Sequence, residues 1–451
     1  MWTFIGAHNS NRKKSSYSIF MSIMNKTNAK GLLALSPLIV FILLYLVLSI
    51  VAGDFYKVPM TVVFMIASIY AVSISGGFPL RKRIDIFSRG ASSDNLMLML
   101  WIYVLAGAFA SSAKSMGAID ATVGATLSIL PSSLILPGLF VAACFISTAI
   151  GTSVGTVVAL VPIAAGVAHQ TGGSLPLLTA VIVGGAYFGD NLSFISDTTV
   201  VATQTQGCKM SDKFRVNVLI ATPAAILMLT IYTFLGQGIA APTHTASVNF
   251  MKVIPYLLVI ILAVTGMNVM AVLVIGSLTC GIIGMIDGSY DFFAWLIAMG
   301  KGISGMGELI MVAMMAGGML EIIRENGGID FIINKFTSHV HTKRGAEFAT
   351  AALVSLVNIC TANNTIAILT IGDIAKKLGD RFGVDNRKNA SILDTFSCTT
   401  QGLLPYGVQM LLAAGLAGCS PMHILPYLYY PMALGVAGIL SIAFRFPKQF
   451  S

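Results

Sequence analysis

Asp190, Asn191, Ser193, Ser196, Asp197, Thr198 and Thr199 place seven oxygen-bearing side chains within ten residues, directly after Gly184, Gly185 and Gly189. The stretch before them, 177–188, is apolar. A helix lying in hydrocarbon has no structural use for such a run. The glycines permit unwinding, and an unwound turn adds backbone carbonyls to the side-chain oxygens. Hard monovalent cations such as Na+ suit an oxygen cage of this kind. A second set follows late in the chain: Asp394, Thr395, Ser397, Thr399, Thr400 and Gln401, with Pro405 and Gly407 positioned to break the helix. Two further clusters read as turns between short helices, Ser147, Thr148, Thr152 and Ser153 in one and Thr361, Asn363, Asn364 and Thr365 in the other. Helix N-termini after such tips present free N–H groups, and opposing carbonyl and amide oxygens can bind a cation. A carboxylate withdrawn from water prefers a bound cation or a proton to a bare charge. Two cations competing for one carboxylate suffice for exchange, provided the site faces one side at a time.

The chain that must position these groups has 451 residues, 56% hydrophobic and only 10% charged, against about 25% charged in soluble domains. Water-soluble, disordered and collagen-like classes are excluded, leaving a multi-span membrane protein. Ten apolar segments read as spanning helices: 32–52, 58–76, 96–116, 175–206, 216–238, 252–266, 268–288, 304–324, 388–417 and 422–444. The polar mid-depth residues of 175–206 and 388–417 predict broken helices. Two stretches near 134–170 and 345–382 are short for two full spans and a turn, at a rise of about 1.5 Å per residue, and read as re-entrant hairpins, with a pair of short spans as the alternative. With the N-terminus inside and loops alternating, 23 of the 27 Lys and Arg fall in cytoplasmic segments and four outside, Lys57, Lys114, Lys252 and Lys301. This bias supports a multi-pass protein with both termini cytoplasmic. It assigns Lys213 and Lys388 to loops, with no lysine or arginine at depth. Residues 1–30 read as a polar cytoplasmic segment rather than a removed signal peptide.

The chain also repeats itself. Ala106, Gly107, Gly117, Ile119 and Asp120 match Ala316, Gly317, Gly327, Ile329 and Asp330 at an offset of 210. Thr148, Ala149 and Thr152 match Thr361, Ala362 and Thr365 at 213, and Asp190 with Ser193 resembles Asp394 with Ser397. The expected fold is an all-α membrane protein with ten spanning helices and two re-entrant hairpins in two inverted repeats, 31–240 and 252–447, joined by a linker at 241–251. An odd number of spans per half inverts the second half, the plan of many secondary transporters.

None of the six cysteines forms a CxxC pair, and the six histidines lack metal-ligand spacing. HExxH, GxSxG and GxxxxGK[ST] are absent, which argues against an enzyme. The segment Gly185-Ala186-Tyr187-Phe188-Gly189-Asp190-Asn191-Leu192-Ser193 with Ser196-Asp197-Thr198-Thr199 resembles the signature of the NhaC family of Na+/H+ antiporters. Where the family pattern has a proline between two serines, this chain has Phe194-Ile195. The resemblance implies Na+ and H+ as transported ions, no resident cofactor, no nucleic-acid partner, a plasma-membrane location, a homodimer and an elevator-like motion of a transport domain. Asp190, Asp197 and Asn364 are the expected Na+ ligands. The set Asp190, Asn191, Ser193, Ser196, Asp197, Thr198, Asp394, Ser397 and Thr399 is expected to handle Na+ and protons. The alternative is a Na+- or H+-coupled carrier of a small organic acid or amino acid, as in malate/lactate exchange.

Overall fold

The computed structural model describes residues 30–52, 57–129, 131–194, 196–237, 249–265, 267–338 and 340–450. The expected N-terminal segment up to residue 29 and most of the linker lie outside the described residues. Among the described residues every regular element is a helix. In order they are α1 (Lys30–Ala52), α2 (Met60–Ile74), α3 (Leu80–Ala91), α4 (Asp94–Met116), α5 (Ala118–Ile129), α6 (Ile135–Ile150), α7 (Ser153–Thr171), α8 (Leu175–Leu192), α9 (Asp197–Gln206), α10 (Met210–Gly236), α11 (Phe250–Val264), α12 (Val269–Ile286), α13 (Phe292–Gly305), α14 (Gly307–Glu325), α15 (Gly328–Thr337), α16 (Lys343–Thr361), α17 (Asn364–Phe382), α18 (Asn386–Leu403), α19 (Val408–Ala417), α20 (Pro421–Ile424) and α21 (Tyr429–Ala443).

Seven helices among the described residues are long and apolar enough to cross a membrane, or eight if the bent pair Asn386–Ala417 and Pro421–Tyr427 forms one span. Three expected spans, 58–76, 252–266 and 422–444, become helices of 15 residues each. Such a helix reaches about 22 Å, short of a hydrocarbon core of about 30 Å. The expected hairpins are each a pair of helices joined by two residues, α6 to α7 and α16 to α17, and of these four only α7 is both long and apolar enough to span. The outer surfaces carry large apolar side chains at high exposure, such as Val51, Phe145, Phe234 and Phe293. Buried polar groups lie inside, the reverse of a soluble protein.

The chain divides into two compact units. One holds α1, α2, α3, the end of α14 and α15. In it Arg89 pairs with Glu321 and Glu325, and a Cβ at Gly90 would collide with the Gly317 carbonyl oxygen. The other unit holds the remaining helices and every residue discussed below as a site.

Helix boundaries repeat along the chain. Helices α8 and α18 begin at 175 and 386, α9 and α19 at 197 and 408, a displacement of 211 in both cases, and each pair ends in the same register. Helices α7 and α17 keep it, beginning at 153 and 364 with 19 residues each. Their N-cap residues Thr152 and Asn363 have nearly the same backbone, φ −145° and −146°. The residues before them, Gly151 and Ala362, are both left-handed, φ 74° and 49°. This register corrects the identity matches at 213 and at Asp190/Asp394. By helix position Ser153 corresponds to Asn364, Thr198 to Gln409, and Asp190 to Gln401.

Helix α8 crosses α6 closely. A Cβ on Gly185 would meet Ala143 Cβ at 2.5 Å, and one on Gly189 would overlap Ser147 Cβ. Small residues four apart let helix backbones approach in this way. Gly189→Val forces the two helices apart and is expected to destabilise the folded protein by about 2 kcal/mol. Thermal unfolding in detergent checks this; an unchanged midpoint contradicts the close approach.

Candidate functional site

Helix α8 starts under a Ser174 cap, whose Oγ accepts from Leu177 N, and stops at Leu192. Helix α9 restarts at Asp197, with Ser196 Oγ accepting from Thr199 N at 3.2 Å. Asp190 therefore sits on the last turn before a break. Its side chain is 6% exposed. Asp190 Oδ2 accepts from Ser153 Oγ at 2.9 Å and from Asn364 Nδ2 at 3.5 Å. Ser153 and Asn364 are the first residues of α7 and α17, so one donor comes from each tip.

Above this carboxylate opens a cavity of about 290 Å³. It is lined by Gly151, Thr152, Ser153 and Val154 of one tip, Asn363, Asn364, Thr365 and Ile366 of the other, and by Asp190, Asp197, Thr198 and Gln409. Among the described residues no lysine or arginine lines it. Asn363 Oδ1 caps α17 by accepting from Ile366 N at 3.0 Å, whereas Thr152 makes no side-chain cap on α7. The N-terminal ends of both helices face the cavity. Among the described residues no group of three His, Cys, Asp or Glu is placed to hold a metal, and all six cysteines are free.

The oxygen-rich run does not form one cage. Asp190, Asp197 and Thr198 line the cavity, and Asp197 is exposed there. The carbonyl of Asp190 is taken by Ser196 Oγ at 2.7 Å, with Thr198 Oγ1 at 3.3 Å. Asn191 and Thr199 turn to a second, fully buried cluster. There Lys213 Nζ, from α10, lies 2.5 Å from Asp394 Oδ2 and donates to the Asn191 carbonyl and to Thr199 Oγ1, each at 2.6 Å. Asn191 and Asn217 also donate to Asp394 Oδ2, each at 3.0 Å. Of the remaining expected residues, Ser193 is buried at the break and its N–H bonds the Gly189 carbonyl at 2.7 Å. Ser147 Oγ donates to the Ala186 carbonyl at 2.5 Å in the α6–α8 crossing. Thr148 Oγ1 bonds back to Cys144 O and Thr361 Oγ1 to Asn363 O. Ser397 Oγ bonds the Asp394 carbonyl, and Thr399 packs against Gly435 of α21. None of Ser147, Thr148, Thr361, Asp394, Ser397 and Thr399 lines the cavity.

The assignment of Lys213 and Lys388 to loops is corrected: both lie on helices, in α10 and α18, and are buried. Lys213 is 1% exposed and Lys388 is fully buried. Lys388 Nζ donates to Ser441 Oγ and to the Phe446 carbonyl. A loop-based charge count misses both because α10 and α18 begin earlier than their apolar stretches. The spacing of Lys213 and Asn217, one turn apart on a helix that is apolar for most of its remaining length, is the available signal. Gln409 also escapes sequence reasoning, since a lone glutamine in an apolar helix carries no motif. The start of α18 is fixed by Asp385, whose carboxylate takes Arg387 N, Nε and Nη2 at 2.7–2.9 Å. These bonds from Arg387 hold Asp385 below the usual carboxylate range.

One buried acid is thus paired with an internal lysine, and a second, Asp190, faces a polar cavity between two helix tips. The profile of the Na+/H+ antiporter family matches residues 8–237 and 239–447. The chain belongs to that family. Over 391 residues it is 26% identical to the Na+/H+ antiporter NhaC of Bacillus subtilis strain 168, covering 78% of this chain and 84% of that protein. It is 24% identical over 383 residues to the malate-2H+/Na+-lactate antiporter of the same organism, covering 76% and 81%. It is also 24% identical over 351 residues to the arginine/ornithine antiporter ArcD of Halobacterium salinarum, covering 70% of each. These relatives are named as antiporters, and the apolar helices of this family member mark it as a multi-pass membrane protein.

Removing one partner of a buried ion pair leaves an uncompensated charge at a cost of about 3–5 kcal/mol. Lys213→Met is expected to lower stability by that order, and Asp394→Asn added to it to recover most of the loss. A double-mutant cycle on thermal unfolding tests this; additive losses contradict a direct pair.

Proposed function

We propose that this antiporter-family protein exchanges Na+ for H+, with both cations competing for the Asp190 carboxylate. The observation that carries this reading is a buried acid, held by one donor from each tip, at a cavity lined by carboxylates and, among the described residues, by no cationic side chain. Such a lining attracts cations. Na+ bound at Oδ1 or Oδ2 leaves when the carboxylate takes a proton, and the reverse. Alternating access, with the two tips and the α8–α9 break moving as part of an elevator-like body in a homodimer, belongs to the same proposal, as do the ten spans with cytoplasmic termini.

A second reading has one observation in its favour. The cavity, about 290 Å³, is far larger than a bare Na+. That size approaches the lower end of the range for small-molecule pockets. The N-terminal ends of α7 and α17 face it, so a small carboxylate solute would find N–H partners. Against it, Lys213 is already spent on Asp394, which leaves an organic dianion without a counter-charge.

Reconstituted vesicles separate the two. Adding Na+ alone to vesicles carrying a pH gradient is expected to dissipate it, without any organic acid or amino acid. Asp190→Asn is expected to abolish that response while the protein remains folded; wild-type-like exchange by this variant contradicts the role of Asp190. Competition also sets the sign of the pH dependence. As pH falls, protons occupy the carboxylate and the Na+ concentration for half-maximal exchange rises, by up to about tenfold per pH unit. A half-maximal concentration independent of pH argues against a shared carboxylate.

A further inference from the structure

We infer that Gln401 is the residue that limits this carrier to one cation: it is the second-half counterpart of Asp190, and a carboxylate there creates a second Na+ position. The inference rests on the Na+ reading of Asp190 given above.

Four observations carry it. Helix register pairs 190 with 401, since α8 and α18 share boundaries at a displacement of 211. The neighbours follow the same register. Ser153 and Asn364 are the paired tip residues that donate to Asp190, and Thr198 and Gln409 are the paired residues lining the cavity. Gln401 is joined to Asp190 by a short chain. Gln401 Nε2 donates to Gln409 Oε1 at 3.2 Å, Gln409 Nε2 to Ser153 Oγ at 3.1 Å, and Ser153 Oγ to Asp190 Oδ2 at 2.9 Å. Finally, Gln401 is 1% exposed, and its Oε1 is a buried oxygen with no donor among the described residues.

The local chemistry explains why the change from amide to acid matters. Gln401 Nε2 also donates to the Ala362 carbonyl at 3.0 Å. Gln401→Glu replaces that donor by an oxygen. The new carboxylate then faces the Ala362 carbonyl and Gln409 Oε1, three oxygens with no hydrogen between them. Such a group repels itself unless a cation or proton enters. With the neutral amide in place, the nitrogen supplies the hydrogens and no second cation is needed.

Equilibrium binding of radioactive sodium to the purified full-length protein, in alkaline buffer, tests this. The wild type is expected to bind one Na+ per chain and Gln401→Glu two, a twofold rise. A folded Gln401→Glu that still binds one overturns the inference and leaves the Asp190 reading intact. A wild type that binds none overturns both. The double variant Asp190→Asn/Gln401→Glu keeps the wild-type charge and guards against a single variant that fails to fold. It is expected to regain the binding lost in Asp190→Asn, and a folded double variant without Na+ overturns the inference.

Discussion

A carboxylate removed from water must be compensated, and everything at this site follows from how incompletely Asp190 is. Among the described residues two donors reach it, both on Oδ2, and one of them is long at 3.5 Å. Of the carbonyls at the α8–α9 break, that of Asp190 is taken by Ser196 and Thr198 and that of Asn191 by Lys213 and Asn217. Desolvating an ion costs several kcal/mol even after relaxation. Two neutral hydrogen bonds at about 1.5–3 kcal/mol each to a charged group only partly offset that. The remaining deficit is what a mobile cation or a proton can supply. Asp394 shows the opposite solution a few residues away in space. It accepts from a lysine and two asparagines on a single oxygen and lies off the cavity. One acid is tied to groups on neighbouring helices, and the other, among the described residues, keeps only neutral donors beside the cavity.

The scaffold keeps that shortfall from collapsing. Gly185 and Gly189 bring α8 tightly against α6, leaving no room for a Cβ at either position. The Asp385–Arg387 cap and buried Lys388 pin the start of α18. Lys213 reaches α8, α9 and α18 from α10. Because the break is held through Asn191 and Thr199 on the side away from the cavity, Asp190 can change its partner without losing the elements around it.

Much of this is legible in the residues, and the failures have physical causes. The polar run at 190–199 marks the break because hydrocarbon tolerates such a run only where the helix is interrupted. The tip clusters are visible because small polar residues flanked by apolar helices have few other uses. Of those clusters only Thr152, Ser153, Asn363, Asn364 and Thr365 reach the cavity, because side-chain direction along a helix is not readable from type alone. Amphipathic α3 and the short α5 and α15 escape because a reading tuned to apolar windows sees only long ones. Matching identical residues pairs Asp190 with Asp394. Backbone register follows helix starts, caps and left-handed C-caps instead. Those features persist when side chains diverge, as Gly151 and Ala362 show. Ala362 keeps φ 49° without being a glycine. The left-handed region costs a residue with a Cβ roughly 1–2 kcal/mol, so the turn before α17 is held by the fold around it rather than by local preference.

The corrected register changes what the two halves mean. Had Asp190 and Asp394 been counterparts, the site would hold two acids of equal standing, and the lysine on one of them would be an accident. With Gln401 as the counterpart of Asp190, each half supplies a tip donor and a cavity-lining polar residue, but only one half supplies a charge. Two like charges joined by three hydrogen bonds in a low-dielectric interior would raise each other's need for a cation. A neutral amide in the second position keeps the donor geometry of the repeat without that coupling. Under the proposed exchange at Asp190, one cation replaces another in a step whose net charge change is small, and the buried interior does not have to accommodate a bare charge at that residue.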